Sequence, residues 1–328
     1  MPAQGAPPIA SSPPTPLAQT VASVPLPAPE VAPPSFSIVV PTCDRPRELA
    51  ACLAALAALD YPVERYEVIV VDDGSRPPVV PIALPCRPGL RVTWLRQPNA
   101  GPASARNAGA RAAAGDILAF TDDDCAPAPG WLHALAAAVT REPWGLHGGA
   151  VENALPDNAC SAASHAIVDV LVPHLIDARS ELRFVTSNNV AMTAERFRAI
   201  GGFDASFRTA EDRELCQRWL LAGQPVLRVA AAIVRHRHDL TLPAFWRQHF
   251  GYGRGACRFH RQRKARGLAP FRPDVALVAR TFRRQFAEHP PSRAMRIAAL
   301  LVVWQLANAT GYLWQRVSGD RPRPSSRA

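Results

Sequence analysis

The amino-acid sequence predicts an α/β fold: a mostly parallel sheet flanked by helices, with a basic helical extension at the C-terminus. Three observations predict it. Short β-branched runs alternate with segments whose apolar residues recur at helical spacing. Each of three runs ends on a polar cluster, and the positive charge is gathered beyond residue 234. At 328 residues and 48% hydrophobic content the chain is large enough for one substantial core with an appendage.

Residues 1–35 contain eleven prolines and a single charged residue, Glu30. No apolar face survives so many breaks, so a disordered leader is expected, without the basic start or uninterrupted apolar stretch of a secretion signal. Order is expected from the run Phe36 to Val40, a buried strand. Pro46 then opens a helix that Asp44 is placed to cap, with Leu49, Cys52, Leu53, Leu56 and Leu59 on one face. A second strand, EVIVV (67–71), ends on DDGS. RVTWL (91–95), a helix across 103–114 and ILAF (117–120) complete the alternation, and ILAF runs into TDDDC.

Ligands of such sheets bind beyond the carboxyl ends of the strands. PTCDR, DDGS and TDDD should therefore open onto one edge. Adjacent carboxylates repel, and hard divalent cations prefer oxygen ligands, so the triple aspartate suits Mg²⁺ or Mn²⁺ together with a phosphate-bearing ligand. In an extended segment Asp122 and Asp124 would project to one side and Asp123 to the other. Arg106, in the small-residue stretch NAGPASARNAG, could pair with phosphate or with the aspartates. That stretch has neither of the glycine-rich phosphate cradles, G-x-G-x-x-G or G-x-x-x-x-G-K-[ST].

Further on, a turn and an amphipathic helix (201–223) place Glu211 and Asp212 in a first helical turn, where acids cap the dipole or serve as a general base. His236 and His238 follow the strand-like PVLRVAAAIV on one side of an extended segment, a spacing that suits a metal ligand and its neighbour, or a structural pair. Residues 36–240 thus form the sheet domain.

The formal net charge is +10, but nineteen Lys and Arg against four Asp and Glu lie from Arg235 onward, so the rest is mildly acidic. Such a tail suits nucleic acid, an anionic membrane or a polyanion. Within the tail (241–328), residues 295–317 are almost long enough to span a bilayer, yet Gln305, Asn308, Tyr312 and Gln315 share a helical face. An interfacial contact is preferred over a span or a core helix. Arg293 and Arg296 before it and Arg316, Arg321 and Arg323 after it give no orientation bias. Seven cysteines without a CxxC pair argue against a disulfide framework and for a reducing setting.

SIVVPTCDR, EVIVVDDGS, GPASARNAGARAAAGDILAFTDDD, NNVAMTAERFRAIGGFDASF and AEDRELCQRWLLAG occur in this order. Together they resemble the inverting family-2 glycosyltransferases of the GT-A fold, over about residues 35–242. The resemblance implies a nucleotide-binding sheet and a nucleotide-sugar donor, UDP-, GDP- or dTDP-linked. Its pocket would be lined by Thr42, Asp72 and Arg106, with Pro41, Arg45, Asp73, Asp122 and Asp123 also on the donor side. Asp122 and Asp124 would be the DxD aspartates that hold Mn²⁺ or Mg²⁺, with Asp123 as an alternative ligand. His236 would complete the metal shell. Asp212 would be the base that deprotonates the acceptor hydroxyl, with Glu211 beside it, and Asn188 and Asn189 would lie on the acceptor side. With that resemblance, the basic and apolar tail suggests work on the cytoplasmic face of a membrane, with an anionic lipid surface and a glycan or lipid-linked acceptor as partners, and the acidic strand ends argue against nucleic acid. A sugar-phosphate nucleotidyltransferase is the competing enzyme, although it would want a glycine-rich loop where PTCDRPREL stands. A binder of anionic polymers is the competing non-enzyme.

Overall fold

The structure is a computed structural model that describes residues 32–81, 87–177, 183–269 and 275–319. The expected leader up to residue 31, Cys86, Arg321 and Arg323 lie outside the described residues. From Pro33 onward the chain forms one compact unit.

Strand β1 (Phe36–Thr42) is buried at every position and leads through a short loop into α1 (Pro46–Ala57). β2 (Tyr66–Asp72) is equally buried, and β3 (Arg91–Arg96) alternates exposed and half-buried residues because it forms the sheet edge. Helix α2 (Pro102–Ala112) returns the chain to β4 (Ile117–Thr121). These four strands pair in parallel, as their alternation with helices predicts. The second half is mixed. Short β5 (Cys125–Pro127), α3 (Trp131–Arg141), β6 (Leu146–Asn153), α4 (Ala159–Asp177), β7 (Asn189–Thr193), α5 (Ala194–Ala199), α6 (Glu211–Leu221) and β8 (Val226–His236) follow in sequence. The sheet order is β3-β2-β1-β4-β7-β6-β8-β5, with β7 antiparallel to β4 and β6, β8 parallel to β6, and β5 antiparallel to β8.

Period-two alternation divides the core into two layers. Ile38, Val40, Val68 and Val70 pack with Leu49, Leu53, Leu56, Trp131 and Leu135 of α1 and α3. Val39, Ile69 and Val71 face α2, and the same layer continues through Phe120 and Leu146 to Leu215 and Trp219 of α6. Gly109 lets α2 lie directly on β1, because a Cβ there would strike the Val39 side chain.

A third core joins α4 to α7 (Leu242–Ala265), α8 (Val275–Glu288) and α9 (Pro291–Ser318). Ala163, Ile167, Leu240, Phe245, Ile297 and Leu301 form it, with Phe282 and Trp304 packed alongside. Helices α7 and α9 cross at backbone contact: a side chain on Gly253 would meet the Asn308 carbonyl, and one on Gly311 the Phe250 carbonyl. The polar face expected on α9 does not look toward water. Gln315 is 2% exposed and accepts a hydrogen bond from Arg254 at 2.9 Å, Tyr312 meets the His260 ring, and Asn308 lies on Gly253. Helical periodicity identifies a polar stripe but does not say whether water or another helix covers it.

Asp44 departs from its expected role. It does not cap α1; it adopts φ 57°, in the left-handed region that Asp tolerates better than most residues. Its carboxylate accepts the Arg76 N–H at 2.7 Å and its own N–H donates to Ser75 Oγ at 2.9 Å, tying the β1 loop to the β2 loop.

Candidate active site

Register places the polar clusters together. Thr42 pairs with Asp72 at the ends of β1 and β2, Thr121 pairs with Asn189 where β4 ends and β7 begins, and Cys125 pairs with His236. The loops after β1, β2 and β4, the start of β7 and the end of β8 therefore meet at one edge of the sheet.

The β2 loop forms one wall. Asp73 is buried and accepts the N–H groups of Ala100 and Gly101 at 2.8 Å each and the Gln97 amide at 2.7 Å. Asp72 accepts Ser75 N–H at 2.8 Å and Val79 N–H at 3.2 Å, with Arg96 3.9 Å away. Burial works against its charge, but these hydrogen bonds and Arg96 hold it below the ordinary carboxylate range. Gly74 has φ 83°, and a Cβ would stand 2.7 Å from Asn99 N, so the turn admits only glycine without a shift. Pro41 is buried within β1 opposite Val71.

The three aspartates do not alternate. The Cys125 N–H closes on the Asp122 carbonyl at 3.1 Å, so the segment turns instead of extending, and the expectation that Asp122 and Asp124 share a side fails. Asp122 faces Arg106, which donates to its Oδ1 at 2.6 Å and to Glu211 Oε1 at 2.8 Å. Asp123 accepts Thr42 Oγ1–H at 2.7 Å and Arg45 at 3.2 Å. Arg45 also reaches Asp124 Oδ2 at 2.8 Å, and Asp124 Oδ1 lies 3.1 Å from His236 Nε2. His238 stacks on His236 with ring centroids 4.6 Å apart.

Electrostatics separates Asp123 from Asp124. Burial outweighs Arg45 and, with Asp124 nearby, pushes Asp123 up to about 7. Asp124 resists the same burial, because the hydrogen bond and charge of His236 and the charge of Arg45 hold it well below the ordinary range. His236 is raised in return, against its own burial, and His238 is pushed down to about 4 by burial and by its neighbour His236.

Asp124, Cys125 and His236 offer ligand atoms within 4.8 Å of one another. A hard divalent cation fits the carboxylate and imidazole of this set better than the thiol, which is fully buried and driven upward by burial and the aspartate charges. Asp122, whose side chain is 30% exposed, stands at the same turn.

At the start of α6 the two acids divide their work. Glu211 is buried and held by Arg106, itself 3% exposed and stacked 5.6 Å from the Phe203 ring. Asp212 is half-buried, lies in a shallow recess with Val185, Phe203 and Leu215, and accepts the Arg213 N–H at 2.8 Å. Burial raises both carboxyls above their ordinary values, against the opposing charges of Arg106 for Glu211 and of Arg213 and Arg106 for Asp212. The asparagine pair also divides. Asn189 does not reach the pocket: its amide donates to the Ala150 and Ala232 carbonyls and accepts from Trp131 Nε1, which welds β7 into the sheet. Asn188 Oδ1 is buried with no partner among the described residues, so it is the member with an acceptor to offer.

Sequence reasoning missed Tyr252, on α7. Thr209, just before the α6 acids, donates to the neighbouring Gly251 carbonyl at 2.9 Å. The Tyr252 ring is 42% exposed, and its phenol is raised by burial and by Asp212, Glu211, Asp122 and Asp124. A tyrosine between two glycines inside the aromatic, basic tail was the available signal.

A mixed sheet whose parallel half gathers an aspartate turn at its strand ends, beside a carboxylate–histidine pair and a helix-borne acid, has the architecture of the GT-A glycosyltransferases. Residues 37–187, most of the sheet domain, match the family described as Glycosyl transferase family 2. The chain is 29% identical over 219 residues to the pre-mycofactocin glycosyltransferase of Mycobacterium tuberculosis, covering 63% of this chain and 43% of that protein. It is also 29% identical over 223 residues to the validoxylamine A glucosyltransferase of Streptomyces hygroscopicus, covering 59% and 53%. The chain thus spans about half the length of these curated relatives, or less. Among solved structures, the mannosyltransferase PcManGT from Pyrobaculum calidifontis, in complex with GDP-Man and Mn²⁺, shares the fold. Its TM-score is 0.56 at 18% identity, over 88% of this chain and 90% of that one.

Proposed function

We propose that this chain transfers a sugar from a nucleoside-diphosphate donor to an acceptor hydroxyl with inversion at the anomeric carbon, aided by Mn²⁺ or Mg²⁺. The observation that carries the reading is the pairing of Asp124 with His236 at one end of the site and the placement of Asp212, apart from the Arg106 clamp, at the other.

Asp124 and His236 would hold the cation, while Asp122, expected as a ligand, is held at the same turn by Arg106. When bound, it supplies positive charge for the departing diphosphate. The PcManGT complex carries GDP-Man and Mn²⁺ on the same fold, which supports a donor and a metal of this kind. Asp72 and Asp73 shape the nucleotide wall through the Gly74 turn. Arg45 neutralises Asp123 and Asp124, and its half-exposed side chain can exchange those carboxylates for phosphate oxygens. Arg106 fixes the α6 acids relative to the aspartate turn, so Glu211 positions and Asp212 reacts. Asp212 takes the proton of the acceptor hydroxyl as that oxygen attacks from the face opposite the leaving diphosphate. Its raised proton affinity brings it closer to the operating pH, where a base transfers protons best. One displacement inverts the centre without a covalent intermediate.

The match of residues 37–187 to Glycosyl transferase family 2 speaks against the nucleotidyltransferase alternative, and the acidic strand ends disfavour a binder of polyanions. The acceptor is a glycan or lipid-linked hydroxyl of the cell envelope, and the enzyme works at the cytoplasmic face of an anionic membrane. α9, long and apolar enough to cross one, supports that location, as do the arginines around it.

The test is metal-dependent turnover of UDP-, GDP- and dTDP-sugars, with the anomeric configuration of the product read by NMR. Wild-type turnover that is lost on chelation and in Asp124→Ala and Asp212→Asn is expected. Full activity in both variants, or retention of configuration, overturns the mechanism.

A further inference from the structure

Helix α9 is apolar on two faces. One face is used: Ile297 and Leu301 enter the third core, and Gly311 and Asn308 meet α7 at backbone contact. The other carries Met295, Val302, Leu306, Leu313 and Val317, each about half exposed or more. At about 100° per residue these five side chains fall within a stripe roughly 60° wide, with the exposed Ala299 on one border and Ala309 about 20° beyond the other. The stripe runs for about 33 Å along the helix. No charged residue interrupts it between Arg296 and Arg316, and both of these arginines are exposed. Trp314, also exposed, flanks the stripe near its C-terminal end, a residue suited to the boundary between headgroups and acyl chains. The neighbouring α8 adds exposed Arg280, Arg283 and Phe286.

A continuous apolar stripe framed by arginines matches an anionic lipid surface, with chains for the stripe and headgroups for the guanidinium groups. A span is disfavoured by what holds the other face. Arg254 donates to the Gln315 side chain, and Arg261 to the carbonyls of Gln315 and Arg316. Crossing the bilayer would either strip α9 from α7 or draw these arginines into hydrocarbon, both costly.

We propose that α9 lies in the plane of an anionic membrane with its Met295–Val317 stripe in the acyl-chain boundary and the whole catalytic unit on one side. This rests on the membrane location proposed above and assigns its residues and its geometry. Because α7 bears α9 on one face and Tyr252 and the Thr209 contact on another, the acceptor side of the site stands about one helix layer from the lipid. An acceptor anchored in that leaflet can present its hydroxyl while its tail stays in the membrane.

Full-length protein would be floated with vesicles of phosphatidylcholine alone and of phosphatidylcholine with 30% phosphatidylglycerol (~30%, a composition that sets a strongly negative surface potential). Expected is binding to the anionic vesicles that weakens with salt and falls about tenfold or more in Leu306→Glu/Leu313→Glu. The variant should keep its thermal melt and its soluble donor turnover. Cysteines introduced as Ser292→Cys and Ser318→Cys should both react, above the wild-type background, with an impermeant maleimide added outside sealed vesicles. No binding by wild type overturns both the location and the stripe. Undiminished binding by the double variant overturns the stripe alone. Protection of one of the two cysteines overturns the in-plane geometry in favour of a span. A wild-type dimer that the double variant converts to monomer, without vesicle binding, assigns the stripe to a second copy and overturns the proposal. Loss of donor turnover in wild type would strike the glycosyltransferase reading and leave the vesicle result intact.

Discussion

Asp124 Oδ1 and His236 Nε2 meet at 3.1 Å, brought together by the antiparallel pairing of β5 with β8 that sets Cys125 opposite His236. The contact joins a strand-end turn of the parallel half of the sheet to the last strand of the mixed half. If this pair holds the cation, His236→Ala should raise the Mn²⁺ concentration for half-maximal activity by about 10–100-fold or more, since loss of even an outer-shell partner costs that much. Asp124→Ala should lose turnover at every Mn²⁺ concentration. Equal Mn²⁺ titrations for wild type and His236→Ala would remove the imidazole from the metal shell.

Asp212→Asn keeps the shape and removes the base. The expected loss is about 10²–10⁴-fold in kcat with donor KM unchanged. Burial raises the Asp212 carboxyl, so the acid limb of the wild-type pH–rate profile should lie above the pH at which an ordinary aspartate titrates. The deprotonated form is the active one, so activity falls as pH drops through the raised value. Glu211→Gln acts through Arg106 and should cost less. If Glu211→Gln abolished the limb and Asp212→Asn preserved it, the roles would be exchanged.

How far these residues were legible follows from the range of the interactions. The strand ends were legible because alternation of strand and helix is local and forces parallel ends to one edge, which gathers Thr42, Asp72 and the aspartates from the sequence alone. The geometry inside TDDDC was not, because the Asp122–Cys125 turn replaces the extended backbone on which period-two reasoning depends. Asn189 looked available because sequence does not show that Trp131, Ala150 and Ala232 converge on its amide. Tyr252 was passed over for a similar reason: only the Thr209–Gly251 hydrogen bond shows that this part of α7 lies against the segment just before the α6 acids.

Glu214 shows the same long-range dependence in a stability setting. It is fully buried and receives Arg218 at 2.6 Å and Arg266 at 2.9 Å, while Arg218 also donates to the carbonyls of Ile200 and Gly202. Glu214→Ala takes the counter-charge from the half-buried Arg218 and the exposed Arg266 and leaves a void where a buried side chain stood. It should destabilise by about 2–3 kcal/mol in urea unfolding. Glu152→Ala, which breaks an exposed pair with Arg235 at 3.5 Å, should change stability by less than about 1 kcal/mol. Similar losses in the two variants would show that the Glu214 cluster contributes no more than a surface pair.

His249 gives stability a pH dependence of known sign. Its ring packs against Phe245 at 4.3 Å and Tyr252 at 5.4 Å, and both ring nitrogens are buried without a hydrogen-bond partner among the described residues. Burial, with a smaller contribution from His238, pushes it down to about 3, so the folded protein keeps it neutral. The unfolded chain binds a proton there near pH 6.5, and the folded chain does not until far lower. Between those values the unfolded state holds more protons, so the contribution is intact above about pH 6.5 and is lost as pH falls toward 3. Each pH unit in that window should cost about 1.4 kcal/mol. Measured by urea unfolding, the stability difference between pH 6.5 and pH 5.5 should be smaller in His249→Phe than in wild type by about 1 kcal/mol. Identical slopes for the two proteins would mean that His249 finds a partner for its proton in the folded state.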